Sequence, residues 1–455
     1  MFESQKAYFD TWRGKKITVI GIGVSNTPLI RMLADKGALV TACDRKERAA
    51  LGDLAGELET LGVTLRLGED YLDDLSGDII FKTPGMRFDH PALLAAGKQG
   101  SIITSEMEVF FKLCPCAIIG VTGSDGKTTT TTLIAKMLEA AGKTVHLGGN
   151  IGKPLLPEIE RIGKEDFAVV ELSSFQLHTM RRSPHIAVIT NLSPNHLDVH
   201  KDMAEYIDAK KNIFTHQLIS DILVVNADND VTASFAGQQT GTLRRFSFKK
   251  ALDDGIYYED GTVWQHMNGV HKAILHRSDI RLPGDHNVEN YMAAIAAVRE
   301  FVTDEQIVSV AKTFGGVKHR IEFVREVRGV RFYNDSIGSS PTRTLATLRS
   351  FPKKVHLLAG GYDKHLPFDE FGRELPNYVK ALYLSGATAP LIRAAVTDSA
   401  LPVYETETYA EATKLAFENA KAGDIVVLSP ACASFDKFKN FEERGEYFIR
   451  TVEEL

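Results

Sequence analysis

The stretch GVTGSDGKTTTTTL, Gly120 to Leu133, decides the fold. It ends in the Gly126-Lys127-Thr128 of a nucleotide phosphate loop, yet Val121 stands where the pattern G-x-x-x-x-G-K-[ST] has its first glycine. The preceding CAIIGVTGS reads as a strand, and KTTTTTLIAKMLEAAG as a helix with Leu133, Ile134, Met137 and Leu138 on its apolar side. Gly120, Gly123 and Gly126 therefore fall between a strand and a helix N-terminus. Unpaired N–H groups and the helix dipole favour an anion there, and a triphosphate is the natural ligand. Lys127 adds a positive charge near the outer phosphates, and Thr128 offers a hydroxyl to Mg²⁺. The plain alternative is a glycine turn beside a surface lysine. Three glycines followed by Lys-Thr in a strand-to-helix context outweigh it.

Outward from this loop, short β-branched runs alternate with helical patterns, the signature of parallel α/β domains. The first block has strands at ITVIGIG (17–23), ALVTACD (38–44), DIIFKTPG (78–85) and SIITS (101–105). The second continues through FAVVELSS (167–174), HIAVITNLS (185–193) and DILVVNAD (221–228). Between 242 and 283 short, turn-rich segments such as IYYEDGTVW predict a small antiparallel sheet. The third block opens near GVRFYNDS and runs through KVHLLAGG, ALYLSG and DIVVLSPA. Three domains are expected: 1–107, 108–316 and 317–455.

With 455 residues, 44% hydrophobic and 25% charged, the chain has ordinary globular composition and exceeds what one core supports. A net charge of -6 argues against a polyanion partner, so no nucleic acid is expected. No apolar run predicts a membrane span or a signal core, which makes the cytosol the default compartment. Four scattered cysteines, Cys43, Cys114, Cys116 and Cys432, predict buried free thiols.

A metal–phosphate site needs carboxylates, and Glu171 closes the strand FAVVE directly before LSSFQL, at a strand end where α/β folds place ligands. The next strand runs into TNLSPNHLDVH, which brings Asn195, His196 and Asp198 to the corresponding edge. His196 beside acids suits a metal ligand or a substrate contact, and a lone surface histidine is the bland alternative.

Together, TGSDGKTT, ELSSFQL, NLSPNHLD, YIDAKKNIF, GDHNVEN, KHRIE, NDS and LSPACASFDKFKNFEERG resemble the Mur ligases of peptidoglycan synthesis, in consistent order over nearly the whole chain. That family spells its loop T-G-x-x-G-K-[ST], which accommodates Val121. The resemblance, nearest to the glutamate-adding branch, implies a Rossmann-like N-terminal domain that holds a UDP-sugar, a central P-loop ATPase-like domain and a Rossmann-like C-terminal domain. It implies ATP-dependent joining of D-glutamate to UDP-N-acetylmuramoyl-L-alanine through an acyl phosphate; the sequence leaves the oligomeric state open, with a monomer as the expectation.

Carried over residue by residue, the resemblance assigns Gly123, Ser124, Asp125, Gly126, Lys127, Thr128 and Thr129 to the ATP phosphates. Glu171 joins Thr128 on one Mg²⁺. His196 and Lys210 match a second metal site, where family members carry a carbamylated lysine; otherwise Lys210 is an exposed helical lysine. Asn287, Asn290 and His319 match positions at the base, Arg320 the γ-phosphate and Asp335 the ribose. Lys127, Glu171, His196, Lys210 and Arg320 form the catalytic set. Ser25, Asp44 and Arg45 fall near UDP, with Asn150 and His196 at the muramoyl-alanine end. D-glutamate is assigned to Ser339, Lys364, Ser434 and Phe441.

Two features stand apart. GIGVSN begins like a dinucleotide fingerprint but has Asn26 at the third glycine position, which makes a nicotinamide dehydrogenase a weak reading. DSIGS (335–339) has Ile337 where many glutamate-adding relatives have lysine, so the amino-acid contacts are the open part of the assignment. The rivals are another Mur-type ligase, a folylpolyglutamate synthase, and a P-loop binding protein that makes no covalent product.

Overall fold

The computed structural model describes residues 5–196, 199–267 and 269–455. It divides into two compact units, one of residues 1–276 with 289–310, the other of 277–288 with 311–455.

The first unit holds two sheets. The N-terminal one contains β1 (Lys16–Ile20), β2 (Leu39–Asp44), β3 (Thr64–Leu67), β4 (Ile79–Phe81) and β5 (Ile102–Thr104), all parallel in the order β3-β2-β1-β4-β5. The order reverses between β1 and β4, so a ligand crevice is expected at the carboxyl ends of those strands. Asn26 replaces the fingerprint glycine by turning inward, where its amide donates to the Ile20 carbonyl at 2.9 Å.

The second sheet runs β14-β13-β12-β11-β10-β9-β6-β8-β7. Its strands are β6 (Ala117–Thr122), β7 (Val145–Gly149), β8 (Phe167–Glu171), β9 (Ile186–Ile189), β10 (Ile222–Asn226), β11 (Thr242–Ser247), β12 (Gly255–Glu259), β13 (Thr262–Met267) and β14 (Val270–His276). The antiparallel region expected at 242–283 is the edge of this sheet, not a sheet of its own. β11 and β12 still pair in parallel, and only β12–β13 and β13–β14 are antiparallel. The change of direction is local: Asp260 and Gly261 both take positive φ (47° and 76°), a two-residue hairpin turn that reverses the chain.

One core joins the two sheets, from Trp12, Val19 and Phe81 through Phe110 to Ile118, Val170 and Ile189. Cys43, Cys116 and Cys432 are buried free thiols, while Cys114 is partly exposed with its sulfur 3.5 Å from that of Cys116.

The second unit carries β15 (Glu322–Val327), β16 (Val330–Asn334), β17 (Val355–Ala359), β18 (Val379–Leu384), β19 (Val403–Glu405) and β20 (Ile425–Leu428), in the order β15-β16-β20-β17-β18-β19. All pairs are parallel except the β15–β16 hairpin. Alternate residues fill opposite cores, with Leu357, Leu382 and Val427 on one side and Leu358, Tyr383 and Val426 on the other. Burial on both faces explains why these strands read as unbroken apolar runs. Among the described residues no helix is long and apolar enough to cross a membrane.

Candidate active site

Val121 belongs to β6, fully buried and in register with Glu171 of β8, so the loop proper begins after Thr122. An apolar strand side chain occupies the position where other phosphate loops already turn. The two glycines that follow are needed for space as well as φ. A Cβ at Gly123 (φ 152°) would collide with the Thr190 hydroxyl, and one at Gly126 (φ 77°) with the Asn290 amide oxygen.

The loop is braced by the segment after β9. The Ser124 N–H donates to the Asn191 carbonyl (2.9 Å), the Asp125 N–H to Asn191 Oδ1 (3.0 Å), and Thr190 Oγ1 to the Asp125 carbonyl (2.6 Å). Behind these groups the helix Lys127–Ala140 starts, with Leu133, Ile134, Met137 and Leu138 all buried as its pattern predicts. Thr129 is half-buried on its first turn. Lys127 Nζ rests on the loop, donating to the Gly123 and Ser124 carbonyls at 3.0 and 2.9 Å.

Thr128 Oγ1 donates to Glu171 Oε2 at 2.7 Å, and Asn150 Nδ2 to Glu171 Oε1 at 2.9 Å. A buried carboxylate and a hydroxyl at the foot of a phosphate loop are hard oxygen donors, the set that Mg²⁺ takes beside phosphate.

Lys210 is not an exposed helical lysine. On the helix Met203–Thr215 it is 1% exposed, and its Nζ donates to Thr122 Oγ1 (3.0 Å) and the Gly123 carbonyl (2.8 Å). Burial first, and the Lys127 ammonium second, drive its amine well below the ordinary lysine range. His196 is exposed, at φ 55°, edge-on to the Phe175 ring at 5.2 Å. Asn195 is half-buried, and Asp198 lies outside the described residues.

Arg87 and His200, which the sequence reading passed over, support this edge. Arg87 binds Asp89, Glu205 and the Val199 carbonyl, holding Glu205 down to about 2 through its hydrogen bonds. His200 bridges Glu205 and Ser174 and stacks on Phe175. In the N-terminal sheet, Asp44 ends β2 and accepts from the Ile22 and Lys46 N–H groups, with Ser25 and Arg45 exposed beside it. Asn290 accepts from Thr130 Oγ1 at 3.2 Å.

In the second unit Asn287 donates to the Pro283 carbonyl at 2.6 Å. His319 is buried at φ 63° against Asn334, and Arg320 is half-exposed next to it. Asp335 is buried, accepts from Thr347 and Ser429 hydroxyls (both 2.7 Å), and is pushed up by burial to about 6. Both hydroxyls fall on Oδ2, and Oδ1 accepts the Ile321 N–H at 3.3 Å.

Three segments meet around the positions assigned to the amino acid. Tyr362 bridges to Ala433, which sets the loop of exposed Lys364 beside buried Ser434. The Ala431 N–H donates to the Gly338 carbonyl at 2.8 Å, one residue from Ser339, and Ser336 Oγ donates to the Phe441 carbonyl. Ile337 is half-buried, its N–H on the His319 carbonyl. Arg444 locks the segments together: fully buried, it donates to Ser336 Oγ, the Ser336 carbonyl and the Cys432 and Ala433 carbonyls. The resemblance gives the arginine of FEERG no role, and the available signal is a guanidinium in the first turn of the helix Phe441–Glu453.

Non-glycine residues at positive φ gather on these loops, at His196, His319, Ile321, His365 and Ala431. Such strain persists where surrounding contacts over-determine the backbone, and it concentrates at functional sites.

Residues 121–298 match the Mur ligase middle domain, and residues 319–432 the Mur ligase glutamate ligase domain. The chain belongs to the Mur ligase family. It is 52% identical to the UDP-N-acetylmuramoylalanine--D-glutamate ligase of Acetivibrio thermocellus, covering 97% of both chains, and 51% identical to that of Clostridium perfringens over the same shares. Among solved Mur ligases, the fold resembles UDP-N-acetylmuramate-alanine ligase MurC from Thermotoga maritima (TM-score 0.60, 18% identity, 97% and 99% of the chains). It also resembles MurF ligase from the same organism, solved in complex with ADP (TM-score 0.57, 17% identity, 98% and 97%). At these identities the two structures speak for the shared Mur ligase fold.

Proposed function

We propose that this Mur ligase joins D-glutamate to UDP-N-acetylmuramoyl-L-alanine at the expense of ATP. The observation that carries the reading is about 50% identity, end to end, to relatives named for that reaction. The loop that seats Thr128 against Glu171 and Lys127 over its own carbonyls supports the ATP half of it.

A carboxylate resists amines because its charge repels attack and oxide leaves poorly. Phosphorylation gives an acyl phosphate with a good leaving group, and both steps concentrate negative charge that fixed cations must meet. Lys127 and the N–H groups of the loop supply that field from the first unit, and Arg320 is assigned the same task in the second. Thr128 and Glu171 would hold Mg²⁺, which would supply positive charge against the phosphates.

Lys210 is assigned as a carbamate, an anionic oxygen ligand to a second metal with His196. Its buried, depressed amine supports this, because only the neutral amine adds CO₂ and at neutral pH an ordinary lysine is almost wholly protonated. Ser25, Asp44 and Arg45 are assigned to UDP, and Lys364, Ser434, Ser339 and Phe441 to D-glutamate. The reaction is assigned to the cytosol, where ATP is plentiful.

The test is mass spectrometry of products from ATP, UDP-N-acetylmuramoyl-L-alanine and a panel of amino acids. A dipeptidyl product and ADP formed only with D-glutamate are expected. A product with a different amino acid would move the chain to another branch of the family, and ATP hydrolysis indifferent to both co-substrates would sink the ligase reading.

A further inference from the structure

His196 is held in a costly backbone conformation by contacts that begin in the loops of the N-terminal sheet. At φ 55° it takes the left-handed region, which a non-glycine residue keeps only under constraint. Its carbonyl accepts from the Val199 and His200 N–H groups at 3.1 and 3.0 Å. The conformation therefore lasts while those two residues stay in place.

One side chain fixes both of them. Arg87, in the loop that follows β4, donates to the Val199 carbonyl at 2.6 Å and to the two Glu205 oxygens at 2.8 and 3.3 Å. The same Glu205 Oε1 lies 3.2 Å from His200 Nδ1. Asp89 accepts from the guanidinium at 2.8 and 2.9 Å, so the fork is oriented from its own loop before it reaches across. A second route ends at the imidazole itself. The His200 ring stacks on Phe175 at 5.3 Å, and Phe175 meets the His196 ring edge-on at 5.2 Å.

The helix Met203–Thr215, which carries Glu205, does not depend on this clasp. Asp202 caps it, and Tyr206, Ile213 and Phe214 are buried along it. Loss of Arg87 therefore frees Val199 and His200 and leaves Lys210 where it is.

We infer that Arg87 is a positioning residue for the reaction, which sets the His196 imidazole through Val199, Glu205 and His200. It touches no reacting atom. The inference rests on the assignment of His196 to the second metal and the muramoyl-alanine end. Groups that orient a metal ligand in this way are worth roughly 10–100-fold in metal affinity or activity.

The experiment is a double-variant cycle in the full chain, read as the rate of ATP-dependent product formation and as the free Mg²⁺ that gives half the maximal rate. Arg87→Met should lower the rate by about 10- to 100-fold and raise the Mg²⁺ requirement, with ATP-analogue binding in calorimetry unchanged. Arg87→Lys keeps the charge but not the fork and should fall between. Because Arg87 acts through His196, Arg87→Met/His196→Ala should be no slower than His196→Ala. With neither metal nor substrate present, the Val199 and His200 amides should exchange at least about tenfold faster in Arg87→Met, whatever amino acid the enzyme joins. Additive losses in the double variant overturn the inference, as do wild-type turnover or unchanged amide exchange in Arg87→Met, and the ligase reading survives all three. Full activity of His196→Ala removes His196 from the site and the inference with it.

Discussion

Arg444→Met offers the sharpest test of how the amino-acid loops are held. The side chain donates to four oxygens at 2.8–3.1 Å, all of them neutral. The Ala433 carbonyl also accepts from the Tyr362 N–H and keeps a partner, but the Ser336 and Cys432 carbonyls depend on the guanidinium. Two orphaned buried carbonyls cost about 1–3 kcal/mol each, and relief from burying a charge returns part of it, for a net of about 2–4 kcal/mol. Because the chain has two units, a single melting temperature is a poor readout, and local exchange is better. The Ala431 amide, shared between the Gly338 carbonyl and Thr344 Oγ1, should exchange about 30- to 1,000-fold faster in the variant. The KM for D-glutamate should rise while acyl-phosphate formation persists, and Arg444→Lys should fall between. Acceleration of Ala431 exchange below about threefold would refute the idea that this arginine, and not backbone pairing alone, holds the loops.

Lys210→Ala should be nearly inactive and partly recovered by acetate, measured as product formation; full activity without acetate would remove Lys210 from the site. Gly126→Ala places a methyl group on the Asn290 amide and a side chain at φ 77°, and should cut ATP binding in calorimetry by at least about tenfold, with UDP-sugar binding retained. Lys364→Ala should raise the D-glutamate KM by about ten- to a hundredfold without loss of acyl-phosphate formation, and an unchanged KM would move the amino-acid pocket elsewhere. Asp335 titrates near 6 when folded against about 3.8 unfolded, so the unfolded chain gives up this proton first and stability falls as pH rises from about 4 to 6. Asp335→Asn should abolish about 2–3 kcal/mol of that decline in urea titrations, and parallel pH profiles would contradict it.

Much of this is legible in the sequence. The strand-glycine-helix order around Gly126 placed Lys127 and Thr128, and the end of FAVVE placed Glu171, because strand ends and helix starts are written locally. What escaped depends on partners far along the chain. Lys210 reads as a surface residue on its own helix and is buried only because β6 and the loop after it pack over that face. Arg444 finds its four acceptors in two loops that no periodicity connects to it. β15 was missed because it is an edge strand with charges at Glu322, Arg325 and Glu326, closed by a hairpin at Arg328-Gly329 whose positive φ values are invisible in composition. Asp335 marked the right place, but its engagement with Thr347 and Ser429 is a property of the fold.

The resting position of the Lys127 ammonium has a consequence for which anions the loop admits. Chloride, sulfate and inorganic phosphate crowd any cell, and a bare cluster of N–H groups beside a lysine would bind them all. Here an incoming anion must first draw the ammonium off two carbonyls, trading charge-assisted bonds of about 1.5–3 kcal/mol each. A small anion offers little more than it displaces, so the exchange is close to neutral. A triphosphate brings many oxygens to the same amides and retains a surplus after the trade. The lysine's tether is thus a cost that every incoming anion meets, and the anion with more oxygens for the loop offsets more of it.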